Sequence, residues 1–114
     1  METKELISSY DAINDTFVGK VSGKNGYMAN FEFSEDVFLN VDKNNLPASI
    51  QINGASDALN VKKSVLKNPD VSILIECSGD KIDFEMFIAG EMIFNKKSLN
   101  IFSIPRFSYE IKAN

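Results

Sequence analysis

Histidine is absent from this 114-residue chain, and so is tryptophan. Without an imidazole, Ser-His-Asp and Cys-His catalysis, HExxH zinc sites and histidine proton shuttles are excluded. No GxxxxGK(S/T) loop, GxGxxG loop or EF-hand pattern occurs either. Any catalysis would fall to carboxylates, Lys, Tyr, Ser or Cys. Cysteine occurs once, at Cys77, which allows no internal disulfide and no thiolate metal site. A reducing, cytoplasmic setting is the simplest expectation, with no metal or cofactor. Apolar runs are only a few residues long, so no membrane partner is expected. The opening Met1-Glu2-Thr3-Lys4-Glu5 lacks the basic and apolar regions of a signal peptide.

What is present describes an ordinary globular chain. Hydrophobic residues make up 44% and charged residues 25%, close to the average that sustains a packed core. The length sets a single domain over residues 1–114. Nine Phe supply the aromatic mass of its core. The net charge of −4 argues against nucleic acid as the default partner, because phosphate binding needs concentrated cations. It serves solubility and mildly favours a basic protein surface. Lys outnumbers Arg eleven to one and Asn and Ile are abundant, which points to an A/T-rich bacterial or phage genome.

Periodicity then divides the chain. Leu6, Ile7, Tyr10 and Ile13 recur at helical spacing behind a Thr3 cap, predicting a first helix that ends at Asn14-Asp15. Phe17 to Val21 reads as a strand, joined through Gly23-Lys24-Asn25-Gly26 to the alternating Tyr27, Ala29, Phe31 and Phe33 as a hairpin. Short strands follow at Val37, Leu39 and Val41 and at Ile50 and Ile52. A second helix is expected over residues 56–67, ended by Asn68-Pro69, with Lys62, Lys63 and Lys67 facing solvent.

Beyond Pro69 the pattern is clearer. Val71, Ile73, Ile75 and Cys77 alternate with polar residues, and so do Ile82, Phe84, Met86 and Ile88. A Gly79-Asp80 loop makes these a hairpin in which Cys77 faces Ile82 and Glu76 faces Asp83. Gly90 suits a bulge in a strand continuing from Met92 to Phe94, and Asn95-Lys96-Lys97-Ser98 a turn. Phe107, Tyr109 and Ile111 form a last strand. The expected fold is α+β: an antiparallel sheet of about seven or eight short strands, in hairpins and a meander, packed with two helices.

Two features carry candidate chemistry. Glu76, Asp83 and Glu85 share the outer face of the hairpin, and opposed like charges destabilise a sheet. A solvated face with a compensating lysine explains them; so does a docking surface for Lys or Arg, a divalent-ion site, or an acid/base pair. Phe38, Phe87, Phe94 and Phe102 fall out of phase with their strands' apolar faces. They form either an exposed contact patch or pocket wall, or a surface covered by a second layer. Cys77 continues an apolar strand face with no base nearby and reads as a core residue.

Thr3-Lys4-Glu5-Leu6-Ile7 through Tyr10-Asp11-Ala12-Ile13-Asn14 resembles the opening helix of NTF2-like proteins. Phe33-Ser34-Glu35-Asp36-Val37 is similar to the start of their first strand, although residues 17–26 read as a hairpin where that family carries helix. The resemblance implies a curved sheet around a pocket and no particular activity. Two functions therefore stand. One is a non-catalytic protein-binding module, a small acidic inhibitor, adaptor or assembly subunit meeting a protein partner or its own copies. The other is an NTF2-like pocket protein binding a small apolar ligand, with carboxylates as possible catalysts.

Overall fold

The computed structural model describes residues 1–24 and 29–113. It is a mostly-sheet domain: nine strands form one mixed, nearly closed sheet in the order β3-β4-β5-β2-β1-β9-β6-β7-β8. In chain order these are β1 (Glu2–Asp11), β2 (Thr16–Val21), β3 (Ala29–Ser34), β4 (Val37–Val41), β5 (Pro47–Ile52), β6 (Val71–Cys77), β7 (Lys81–Ile88), β8 (Glu91–Leu99) and β9 (Phe107–Lys112). Two single-turn helices, α1 (Ala55–Ala58) and α2 (Lys63–Leu66), link β5 to β6.

The predicted opening helix is strand β1. Leu6 is buried, Ile7 is 56% exposed and Ile13 is 93% exposed, so no helical stripe exists. The residues that read as the helix's end make a hairpin turn instead. The Asp11 carboxylate accepts the Ile13 and Asn14 N–H groups at 3.0 and 3.1 Å, and Asp15 takes a positive φ of 51°. Such short-range Asp contacts bend a chain as readily as they end a helix. β1 then pairs antiparallel with β2, Leu6 opposite Val21 and Asp11 opposite Thr16.

That pairing displaces the predicted β2–β3 hairpin. The two edges of β2 are taken by β1 and β5, and β3 pairs with β4. Asn25 and Gly26 of the expected turn, and Tyr27 of the expected strand, lie outside the described residues. The second predicted helix is also cut. Asn60 adopts φ 54° and the Val61 N–H donates to the Ser56 carbonyl at 2.9 Å, a left-handed stop that ends α1. α2 begins afresh at Lys63.

The β6–β7 hairpin forms in the expected register, Cys77 opposite Ile82 and Glu76 opposite Asp83. The next turn differs from expectation. Ala89 and Gly90 have φ of 52° and 78°, the two left-handed residues of a tight hairpin turn, so β8 folds back on β7 rather than continuing it. Asn95, Lys96 and Lys97 lie within β8. β9 then returns to the far side of β6, giving the order β9-β6-β7-β8, a Greek key rather than a simple meander. β1 runs parallel to β9, Glu2 opposite Tyr109 and Glu5 opposite Lys112.

Both halves turn their apolar faces to a common core, not to helices. Phe17, Leu39, Ile52, Ile73, Ile75, Phe84 and Met86 are all almost fully buried there. The terminal strands of the sheet, β3 and β8, approach one another across an aromatic seam. Phe33 and Phe84 ring centroids lie 5.8 Å apart, Phe84 and Phe94 meet edge-on at 5.8 Å, and Phe31 stacks on Phe102 at 4.6 Å. Asn45 ties the β4–β5 loop to this seam, its side-chain amide donating to the Ser103 carbonyl at 2.8 Å. That loop is held by buried Asp42, which takes an ion pair from Lys24 at 2.6 Å and the N–H groups of Asn44 and Leu46.

Phe84 is 1% exposed and touches both sides of the seam. Phe84→Ala is expected to cost about 3–5 kcal/mol. Phe102→Ala, at a half-buried position, is expected to cost about 1–2 kcal/mol. Urea unfolding followed by far-UV circular dichroism checks both; an equal loss for the two would show that the seam is not organised around Phe84.

Candidate functional site

The acidic residues come together on the outer face of β6 and β7. Strict alternation places Ile82, Phe84, Met86 and Ile88 inside, so Asp83 and Glu85 face out, with exposed Glu76 beside them. Glu76 and Asp83 stand directly opposed, and Glu85 faces Leu74. With Met1 and Ile75 they line a shallow depression of about 110 Å³.

Compensation on this face is incomplete. Ser108 donates its hydroxyl to Glu76 Oε2 at 3.0 Å. Lys97, opposite Asp83 on β8, holds its Nζ 3.9 Å from Asp83 Oδ1, a long ion pair between side chains that are 73% and 43% exposed. Asp83 Oδ1 is shielded from solvent and accepts no hydrogen bond from the described residues. The pair is long and weak, so the negative charge of the face is only partly compensated.

The four out-of-phase phenylalanines do not share one patch. Phe94 and Phe102 pack against the core in the seam. Phe87 is half-buried on the outer face of β7, opposite Ser72 and Met92. Phe38 is half-buried on the outer face of β4, opposite Glu32 and Gln51. Cys77 lies in the core, its Sγ 3.5 Å from the Ile104 carbonyl and 3.4 Å from the Asn100 amide.

A polar cluster escaped the sequence reading. The Asp15 carboxylate accepts the Tyr10 hydroxyl at 2.5 Å, the Ser56 hydroxyl at 2.6 Å and the Ser56 N–H at 3.0 Å. It thereby caps α1 from a distant turn. Donation by Ser56 and then Tyr10 holds the Asp15 carboxyl below its ordinary range. Desolvation and the hydrogen bond to Asp15 push the Tyr10 phenol up to about 12. No spacing announces such a group, because its members are brought together only by the β1–β2 turn and α1. Its bonds are fully used in joining those two elements.

Among the described residues no three His, Cys, Asp or Glu side chains gather as a bound metal requires, and no helix is long and apolar enough to cross a membrane. The segment that carried the NTF2-like resemblance is strand rather than helix. Comparison with protein-family models, curated proteins and solved structures finds no match.

The Asp15 cluster has a pH signature. Because Asp15 is depressed in the folded state, its stabilisation is present above the unfolded carboxyl's range and lost as pH falls through the folded value. For Tyr10, raised to about 12, stability is full below the unfolded phenol's value and is lost as pH rises through the folded one. Ultraviolet titration of the phenolates is expected to show Tyr10 ionising near 12, with Asp15→Asn lowering that value. An unmoved titration in the variant would show that the bond is not made in solution.

Proposed function

We infer that the chain is a non-catalytic protein-binding module, a small acidic inhibitor, adaptor or assembly subunit that docks a basic surface on the outer face of β6 and β7. The observation that carries this reading is the directly opposed Glu76–Asp83 pair, with Glu85 on the same face. Like charges facing one another across a ladder cost stability, and Asp83 Oδ1 has no hydrogen-bond donor among the described residues. A Lys or Arg side chain from a partner supplies the counter-charge that this face lacks. Glu85 extends the negative surface along β7, and Leu74 and Met1 give the partner's aliphatic stem an apolar floor.

The pocket reading needs Asp83 or Glu85 turned into an apolar cavity, where burial raises a carboxyl's pKa. Both occupy the outward phase of β7, which favours docking. Charge steering toward a basic partner fits a chain whose net charge is −4.

The test is Glu76→Lys, Asp83→Lys and Glu85→Lys together. Fluorescence anisotropy with a labelled Lys/Arg-rich peptide is expected to show binding by the native chain that weakens with salt. At least a tenfold loss is expected in the triple variant, with thermal unfolding little changed. Equal binding by the folded variant would sink the acidic-docking reading.

A further inference from the structure

The sheet contains a slot. β9 covers β1 only along residues 2–5, whereas β2 covers residues 6–11 on the opposite edge. The Ser22 N–H donates to the Glu5 carbonyl at 2.9 Å. Glu5, and by alternation Ile7, Ser9 and Asp11, therefore direct their backbone groups at β2. The N–H and C=O groups of Ser8 and Tyr10 point the other way, along the line where β9 has stopped. Among the described residues no backbone or side chain pairs with them.

A groove of about 240 Å³ lies on that line, between Ser8, Ser9 and Tyr10 on one side and residues 66–69 on the other, with buried Phe17 also lining it and Lys67 exposed. Ser8 and Ser9 point to opposite faces of the strand, yet both line the groove. It therefore opens on the edge of β1 and not on one face.

We propose that this slot takes an extended peptide segment of a partner protein as an added strand, with a carboxylate of that peptide on Lys67. Alternating backbone donors and acceptors at strand spacing are met by an extended main chain. The line is already strand-competent, since β9 occupies its first part and pairs with residues 2–5. Lys67 is the one charged side chain lining the groove among the described residues, on a chain that is otherwise acidic. This site is separate from the acidic face of β6 and β7 and does not depend on it.

The experiment selects displayed random heptapeptides on the intact protein, then measures backbone amide exchange and affinity with the recovered peptides. Acid-bearing peptides that slow exchange at Ser8 and Tyr10 at least tenfold are expected. They should bind the Glu76/Asp83/Glu85 lysine variant unchanged. Ser8→Pro removes the free N–H without touching the ladder to β2, a position where a strand tolerates proline, and should abolish binding. Lys67→Glu should weaken acidic peptides at least tenfold and be rescued by peptides with lysine in place of the acid; this charge reversal decides the matter if Ser8→Pro does not fold. Failure to recover peptides, protection elsewhere, or equal binding by both variants would overturn the proposal. So would a dimer that protects Ser8 and Tyr10 without peptide, which would make a second copy the occupant.

Discussion

The backbone pairing of β1 is the constraint on which the rest of the structure depends. Its first residues lie parallel to β9 and its last ones antiparallel to β2. One strand thus belongs to both halves of the sheet. To one side stands the order β3-β4-β5-β2, to the other β9-β6-β7-β8. Each half is an antiparallel Greek-key set whose single apolar face must be covered. Joining them through β1 turns the two faces toward one another and makes a shared core. The parallel pairing sets residues near the two ends of the chain side by side, which carries the largest loop-closure entropy in the molecule. The burial of Leu6, Tyr109 and Ile111 around it offsets that cost.

The second closure is aromatic. Among the described residues β3 and β8 end the sheet without a hydrogen-bonded neighbour on their outer sides, and unpaired edges invite wrong partners. Phe31, Phe33, Phe84, Phe94 and Phe102 fill the space between them. Exposed Lys96, opposite Phe84 on the edge strand, places a charge where strand addition would otherwise be easy. The phenylalanines are therefore spent on closing the molecule, which explains why only Phe38 and Phe87 remain on outer faces. Among the described residues, the Asp83 carboxylate and the part of the β1 edge beyond β9 also keep polar groups without a protein partner.

The C-terminal hairpin was legible because its alternation is unbroken and Gly79-Asp80 marks the turn. The Glu76–Asp83 register, and hence the acidic face, could be counted from that turn alone. Phe94 packs toward the core for a local reason. Met86 faces Phe94 and Phe87 faces Met92, so Ile93 is an extra residue and the strand's phase reverses there. A one-residue bulge is invisible to period counting. Phe102 lies in the loop between β8 and β9, where strand phase has no meaning.

β1 was lost for a reason tied to its role. Its inward positions are Lys4, Leu6, Ser8 and Tyr10, so a polar residue interrupts the alternation where the strand borders the slot. Outward Ile7 then lent Leu6 a false helical companion. The amino-acid sequence by itself determined the absence of imidazole chemistry, the β6–β7 hairpin with its register, the β4 strand, and the burial of Cys77. All of these rest on neighbours close in the chain or on composition. The tertiary structure decided the fate of β1, the rejection of the β2–β3 hairpin, the Greek-key order, the Phe seam and the Asp15 cluster. Each of these is a competition between a local pattern and a distant backbone edge, and the winner is the arrangement that pairs the most main-chain groups while burying both sheet faces together.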